Sequence, residues 1–172
     1  MAITLDATVG GANSNTYCTL AEANTYHEGF PQPDEWLANI DDYRNRALAT
    51  ATRLLDEYME WEGFVMTETQ ALLWPRTGAL YKNGYFIPDD IIPKELKNAV
   101  AEFARQLLVQ ERTADFDIET QRLTALTAGP VTMKFDQNKI QAKVIPDAVL
   151  SMIKHLGTIK SRYAVNVEPE RA

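Results

Sequence analysis

Two long apolar repeats at helical spacing constrain the fold of this chain more than any other feature of its sequence. Apolar side chains recur every three or four residues from Tyr43 to Met59, which predicts one face of a helix over roughly 41–61. A second stripe predicts a helix over about 93–112, opened by Pro93. Because each stripe must be buried against another element, we expect a mainly helical core.

Shorter patterns predict further helices. Thr19 and Glu22 have the spacing of a capping box, in which each side chain bonds the backbone of the other residue, so a helix is expected from about 20 to 28. The stretch "PDEWLANI" predicts a short helix that starts near Asp34, and Pro146 opens a last helix.

A β-hairpin is expected between the last two helices, because apolar residues alternate at 131–135 and again at 140–144 around "DQNK". The predicted fold class is therefore mainly α (α+β), a helical bundle of about four to five helices with a small β-hairpin and extended N- and C-terminal arms. A length of 172 residues fits a single domain. Its expected parts are an N-terminal arm (1–18), a helical core (19–112), a strand or hairpin segment (119–145), a C-terminal helix (146–163) and a tail (164–172).

Composition excludes several classes of protein. The single cysteine, Cys18, excludes an internal disulfide and any metal site built from several cysteines. The N-terminus lacks the positive region and the long apolar stretch of a secretory signal peptide. No apolar run approaches the ~18 residues that cross a bilayer. We therefore expect a protein made in the cytoplasm and without a membrane segment.

The net charge of −7 is unevenly distributed. Residues 1–70 hold 12 of the 24 acidic side chains but only three of the 17 basic ones. Residues 134–162 carry six bases and two acids. The basic end is a possible docking surface for an acidic partner, whereas the acidic end would repel nucleic acid. A solvated surface with uneven charge explains the same pattern equally well.

Few residues are placed for catalysis. The two histidines, His27 and His155, do not have the spacing of metal ligands. Ser151 lies one helical turn before His155, but the pattern supplies neither an oxyanion hole nor an orienting acid. None of the glycines belongs to a phosphate-binding loop. We predict that the chain is not an enzyme and has no catalytic residue, metal or cofactor.

The segment "QALLWPRTGAL", residues 70–80, predicts a structural corner formed by Trp74, Pro75, Arg76 and Gly78. Pro75 moves Trp74 out of helical geometry, and Gly78 supplies a turn. The apolar residues after the corner, from Leu80 to Ile87, are expected to pack against the two long helices. Arg76 is expected to pair with an acid or to cap a helix end, and direct ligand contact by this corner is the less favoured alternative.

Four stretches occur here in an order that resembles a family of small phage and prophage proteins. They are "ANSNTYCTLAEANTYHEGF" (12–30), "RALATATRLLDEYMEWEG" (46–63), "QALLWPRTG" (70–78) and "IPKELKNAVAEFARQLL" (92–108). Members of that family are often labelled DnaT-like single-stranded-DNA-binding proteins, and they look akin to the head–tail connector, or adaptor, proteins of long-tailed phages. The resemblance covers residues 12–110 well and the remainder loosely.

The resemblance to connectors implies a structural virion protein of the phage neck. Its subunits would form a twelve-fold ring under the portal protein, contact the next neck or tail-completion protein, and let genomic DNA pass without sequence-specific binding. The C-terminal part of such adaptors commonly reaches the portal. Transferred here, that implies portal contacts by Ile159, Tyr163, Val165 and Val167.

The alternative hypothesis is a single-stranded-DNA-binding replication module. Bases interleaved with aromatic residues on an exposed strand are typical of such proteins. The nearest match is the predicted β-hairpin, where Lys134, Lys139 and Lys143 would contact DNA. The acidic net charge opposes binding that depends on phosphate contacts.

Overall fold

The structure is a computed structural model, and it describes residues 3–31, 34–110, 125–128, 131–134 and 144–160. Within these ranges lie five helices and three two-stranded antiparallel sheets. The fold is therefore mainly helical α+β, as the sequence predicts. The chain divides into two compact units, one within Met1–Gln110 and Ile145–Ala164 and the other within Glu111–Val144 and Val165–Ala172. The single domain over 1–172 stays a prediction.

The first helix, α1 (Leu20–Glu28), begins at the predicted capping box. The Thr19 hydroxyl accepts a hydrogen bond from the Glu22 backbone N–H at 3.2 Å, and the Glu22 carboxylate accepts one from the Thr19 N–H at 2.8 Å. The short helix α2 (Asp34–Leu37) follows. It places Trp36 in the core, with the indole N–H donating to the Asn24 side chain at 2.8 Å.

The two long helices, α3 (Asp41–Tyr58) and α4 (Lys94–Val109), form the centre of the first unit and pack against each other. Their contact is lined by the apolar stripes that the sequence shows. The last helix, α5 (Asp147–Ile153), packs on α4. The fully buried residues of these three helices include Leu48, Leu55, Leu96, Val100, Phe103, Val149 and Ile153.

Two short strands replace the ends of two predicted helices. Helix α3 ends at Tyr58, and Met59–Trp61 form strand β1. Helix α5 ends at Ile153, and Gly157–Ile159 form strand β6, which pairs antiparallel with β1 so that Met59 lies opposite Ile159. This corrects the prediction of one C-terminal helix over 146–163. The reason is a tertiary contact, because a Cβ on Gly157 would lie 2.4 Å from the Glu60 carbonyl oxygen, and only glycine permits this approach.

The remaining strands are equally short. Strands β2 (Phe64–Val65) and β3 (Arg76–Thr77) pair antiparallel in the first unit. In the second unit, β4 (Ala125–Ala128) pairs antiparallel with β5 (Val131–Lys134). The predicted hairpin thus uses 125–128 as a partner for its first strand, and its predicted second strand, 140–144, lies outside the described residues except for Val144.

The N-terminal segment 3–18 contains no helix or strand. The Asn15 side chain holds it by accepting from the Asp6 N–H and donating to the Thr4 carbonyl oxygen, both at 2.9 Å. Tyr17 and Cys18, at the end of the predicted N-terminal arm, are buried in the core. Apolar residues alternate with other residues over 3–9. In the structure this alternation belongs to an extended segment that is tied to its own turn and is not paired in a sheet.

Candidate functional site

The predicted corner at Trp74–Gly78 is built around the Arg76 side chain. Its guanidinium donates to four backbone carbonyl oxygens, those of Gly63 at 2.6 Å, Glu62 at 2.7 Å, Leu73 at 3.1 Å and Trp61 at 3.3 Å. A planar guanidinium with five N–H donors can bond four carbonyls at once, whereas an ammonium group has only three N–H donors. Arg76 therefore joins the segment after α3 to the segment before β3, and among the described residues it neither pairs with an acid nor caps a helix.

A second hub lies beside it at Asp56. One carboxylate oxygen accepts from the Tyr17 hydroxyl at 2.6 Å and from the Trp61 indole N–H at 3.1 Å, and the other accepts from the Leu73 N–H at 3.1 Å. Burial raises the pKa of Asp56, and these hydrogen bonds oppose that rise. Because every donor belongs to a different segment, Asp56 ties the corner to both the N-terminal segment and β1.

Trp74 fills the space between these two hubs. Its side chain is 1 % exposed and meets the Trp61 ring edge-to-face at 6.0 Å between centroids. Its backbone N–H donates to the Tyr17 hydroxyl at 3.2 Å. The peptide bond from Trp74 to Pro75 is cis. Gly78 has φ +83°, and a Cβ built on it would lie 3.9 Å from the Gly63 Cα. The structure thus places the four predicted corner residues in one connection, in which Trp74, Pro75 and Arg76 are buried and Gly78 is exposed.

Beyond this corner the chain forms a narrow hairpin over 79–87. Leu80 and Phe86 are bridged antiparallel, the Tyr81 N–H donates to the Tyr85 carbonyl oxygen at 2.9 Å, and the Ile87 N–H donates to the Ala79 carbonyl oxygen at 2.9 Å. Ala79 and Ile87 are buried and anchor the base. The base of the hairpin is therefore anchored in the core, and its first residue directly follows the corner.

The tip of this hairpin and the neighbouring strand β2 expose apolar side chains. Phe64 is 77 %, Tyr85 74 % and Phe86 73 % exposed. Together with three partly exposed neighbours they form what we call the hairpin cluster. Its members are Phe64, Val65, Met66, Leu80, Tyr85 and Phe86. Large exposed rings on an ordered backbone are typical of a binding surface.

The hairpin cluster corrects the expectation that the apolar residues from Leu80 to Ile87 pack inward. Ile87 does pack inward, but Leu80 and Phe86 face solvent. Phe86 and Ile87 are equally apolar, so hydrophobicity does not show which of them faces the core. The alternation of a strand could show it, but this strand is too short for an alternating pattern to be recognised. The sequence therefore does not reveal which aromatic residues of the described ranges are the most exposed.

The surroundings of the hairpin cluster are acidic. Five exposed carboxylates lie on the adjoining segments without an ion pair in the described part of the chain: Glu60, Glu62, Glu68, Asp89 and Asp90. The exposed bases on the same segment are Lys82 and Lys94. Acidic flanks favour contact with a protein surface over contact with a phosphate backbone.

The residues that were weighed for catalysis are not brought together. The Ser151 hydroxyl donates to the Ala148 carbonyl oxygen at 2.7 Å, and His155 has no hydrogen-bond partner among the described residues at either ring nitrogen. His27 is buried, with Nε2 3.1 Å from the Ala101 carbonyl oxygen. Burial raises the pKa of the Cys18 thiol to about 12. Among the residues that the structure describes, no group of three or more His, Cys, Asp or Glu side chains could hold a metal ion.

The residues predicted to contact the portal are only partly described. Ile159 lies in β6, half-buried and opposite Met59, so its backbone belongs to the β1–β6 sheet. The next residue, Lys160, donates from its ammonium group to the Asp56 and Glu57 carbonyl oxygens at 3.1 and 2.6 Å. A lysine bonded to the last carbonyls of a helix complements the helix dipole. Tyr163, Val165 and Val167 lie outside the described residues.

The residues predicted to contact DNA lie in or near the second unit. Lys134 is the last residue of β5, where its backbone pairs with Ala125. Lys139 and Lys143 lie outside the described residues.

No helix in the described ranges has the length and apolar character that a bilayer span requires.

One comparison with known proteins bears on identity. A family model described as "Putative DnaT-like ssDNA binding protein" matches residues 1–172. The chain belongs to this family. Comparison with curated proteins and with solved structures gave no match. The family description favours the single-stranded-DNA-binding alternative, and no comparison supports the head–tail connector identity.

Proposed function

We propose that this member of the DnaT-like family is a structural virion protein, a head–tail connector that forms a ring under the phage portal and extends the DNA channel to the tail. Its partners would be other copies of itself, twelve to a ring, the portal protein, and the next neck or tail-completion protein. It would be made in the host cytoplasm and end in the virion neck.

The observation that carries this proposal is the hairpin cluster on its rigid base. Exposed aromatic side chains are enriched in protein interfaces, and they contribute most when the backbone that presents them is already ordered. Arg76 and Asp56 provide that order through hydrogen bonds to three segments of chain, at Tyr17, at residues 61–63 and at Leu73. The acidic flanks support a channel protein past which DNA slides, because carboxylates repel phosphates.

The C-terminal arm is the second proposed contact. Lys160 is fixed to the end of α3. Ile159 before it, and Tyr163, Val165 and Val167 after it, would contact the portal. Deletion of 164–172 is expected to leave the urea midpoint unchanged and to abolish co-sedimentation with the portal. Unchanged co-sedimentation would reject the arm as a portal contact.

Binding of single-stranded DNA is the second candidate function, and the family description favours it. Phe64, Tyr85 and Phe86 expose faces on which bases could stack, at about 1–3 kcal/mol per base. Lys134, Lys139 and Lys143 would contribute phosphate contacts. This function predicts binding that weakens steeply with salt.

A titration separates the two candidates. A labelled single-stranded oligonucleotide is followed by fluorescence anisotropy at low and at moderate salt, with wild type and with Lys134, Lys139 and Lys143 changed to Gln. The connector predicts flat curves into the high-micromolar range for both proteins. Saturable binding that weakens with salt and with loss of the lysines would establish the DNA-binding module instead.

A further inference from the structure

We infer that two copies of this chain associate head to tail, with the hairpin cluster of one copy against the opposite end of α3 in the next. This inference rests on the proposed ring, and it identifies the two surfaces that would form it. It starts from a second group of exposed apolar residues, which we call the turn cluster. Its members are Phe30, Leu37, Ile40 and Tyr43.

The turn cluster lies where α1, α2 and α3 meet. Leu37 ends α2, Ile40 is the residue before α3, and Tyr43 is in the first turn of α3. Ile40 is 61 % and Tyr43 54 % exposed. The Tyr43 N–H donates to the Ile40 carbonyl oxygen at 3.1 Å, so this turn is ordered. Four exposed apolar residues on an ordered turn form a second binding surface.

The two clusters lie at opposite ends of the same helix. The turn cluster precedes the 18-residue helix α3, and the hairpin cluster begins six residues after its end. At 1.5 Å per residue, α3 is about 27 Å long. The exposed side of α3 between the clusters is charged, with Arg46, Arg53 and Glu57 in solvent. A side-by-side dimer would bury these charges, whereas an end-to-end contact would not.

Charge also favours contact between a hairpin cluster and a turn cluster over contact between two hairpin clusters. Two hairpin clusters placed face to face would bring together the carboxylates of Glu60, Glu68, Asp89 and Asp90 from both copies. At the turn cluster, by contrast, three of the described carboxylates are already in ion pairs with arginines, and only Glu28 is exposed without one. The pairs are Asp41 with Arg44, Asp42 with Arg46, and Glu35 with Arg105. The turn cluster is therefore the less repulsive partner for the acidic hairpin side.

The exposed area is sufficient for such a contact. Phe64, Tyr85 and Phe86 are each about three-quarters exposed, and rings of about 150–250 Å² each present roughly 350–550 Å² in total. A standard interface covers about 800 Å² per partner, of which somewhat more than half is apolar. The hairpin cluster supplies that apolar part. Because the two surfaces differ, the contact is heterologous, and repetition generates a ring or an open filament.

Sedimentation velocity on four samples tests the inference. They are wild type, a hairpin variant (Phe64→Ser with Phe86→Ser), a turn variant (Ile40→Ser with Tyr43→Ser), and an equimolar mixture of the two variants. All four positions are exposed, so the urea midpoints should stay near wild type. Wild type is expected to form species larger than a dimer as concentration rises. Each variant should lose association by at least about thirtyfold, as expected for loss of central aromatic contacts.

The mixture gives the decisive result. Each variant keeps one intact surface, so the pair should form a one-to-one complex that does not grow with concentration. Wild type that stays monomeric, wild type that stops at a dimer, or a mixture that remains monomeric would each overturn the inference. Portal co-sedimentation is measured separately. Wild type that binds the portal but does not self-associate rejects this interface alone, and wild type that self-associates but does not bind the portal rejects the connector alone.

Discussion

The Tyr17 hydroxyl donates a 2.6 Å hydrogen bond to the Asp56 carboxylate and accepts one from the Trp74 backbone N–H at 3.2 Å. A single phenol therefore connects the N-terminal segment, the end of α3 and the buried corner. Because both of its partners are shielded from solvent, neither can exchange this bond for one to water without cost. The stability of the corner therefore depends on Tyr17, which is 57 residues away from Trp74 in sequence.

Tyr17→Phe should lower the free energy of unfolding by about 1–3 kcal/mol, because it removes a donor to a buried carboxylate and leaves the Trp74 N–H without its acceptor. Urea denaturation measures the change. Tyr85→Phe, which removes the same hydroxyl from a residue that is 74 % exposed, is the matched control and should stay within about 0.5 kcal/mol of wild type. Equal effects from the two variants would show that Tyr17 adds only packing.

Trp74→Ala should destabilise the chain by about 3–5 kcal/mol, since it empties a fully buried ring site beside Trp61. The same denaturation experiment on Phe86→Ala should show little change, because Phe86 is mostly exposed. Near-normal stability of the Trp74 variant would reject the corner as a structural element.

Gly63→Ala and Gly84→Ala test the close approach of backbone at the corner. Both glycines have positive φ, +73° and +84°, so each alanine costs about 1–2 kcal/mol in left-handed strain. Only at Gly63 would the added Cβ meet a backbone atom, the Thr77 carbonyl oxygen at 2.2 Å, whereas Gly84 has open space. Gly63→Ala should therefore lower the free energy of unfolding by about 1–3 kcal/mol more than Gly84→Ala does, and its urea midpoint should be lower. Identical midpoints would contradict the β2–β3 contact.

Stability should fall as pH falls through the usual pKa of histidine. Burial lowers the pKa of His27, and its contacts with the Ala101 carbonyl oxygen and Glu102 only partly oppose this. The unfolded chain therefore takes up the proton first, near pH 6.5, so the contribution of neutral His27 is present above that pH and lost below it. Burial also lowers the pKa of His155, so this residue too contributes a loss of stability as the pH falls.

The measurement is the free energy of unfolding of wild type, His27→Asn and His155→Asn at pH 7.5 and at pH 5.5. Each variant should show a smaller difference between the two pH values than wild type does. A wild-type stability that is the same at both pH values, or a slope that both variants retain, would contradict neutral burial of these rings.

Local signals made the helices predictable, but they did not reveal the contacts between distant segments. The Thr19–Glu22 capping box and the stripes of α3 and α4 are repeated or paired within a few residues, so the sequence displays them. Strands β1 and β6 are three residues each and nearly a hundred residues apart, which leaves no period to detect. Their pairing is decided by tertiary packing around Gly157.

The candidate site also has features that the sequence predicts and features that only the structure shows. Trp74, Pro75 and Gly78 are residue types with strong backbone consequences, so a corner could be predicted from them. The partners of Arg76 are backbone carbonyls, which every residue carries, and no sequence pattern marks them. The exposure of Phe64 and Phe86 depends on which side of a two-stranded hairpin faces the core, and that is set by the fold around it.

Electron microscopy of this protein mixed with a phage portal protein tests the proposed connector function most directly. With wild type, portal particles should carry an additional ring of density on the tail-facing side. The hairpin variant Phe64→Ser with Phe86→Ser should fold and leave the portal without that ring. Bare portals in the presence of excess wild-type protein would contradict the connector, and single-stranded-DNA binding would then be the function to pursue.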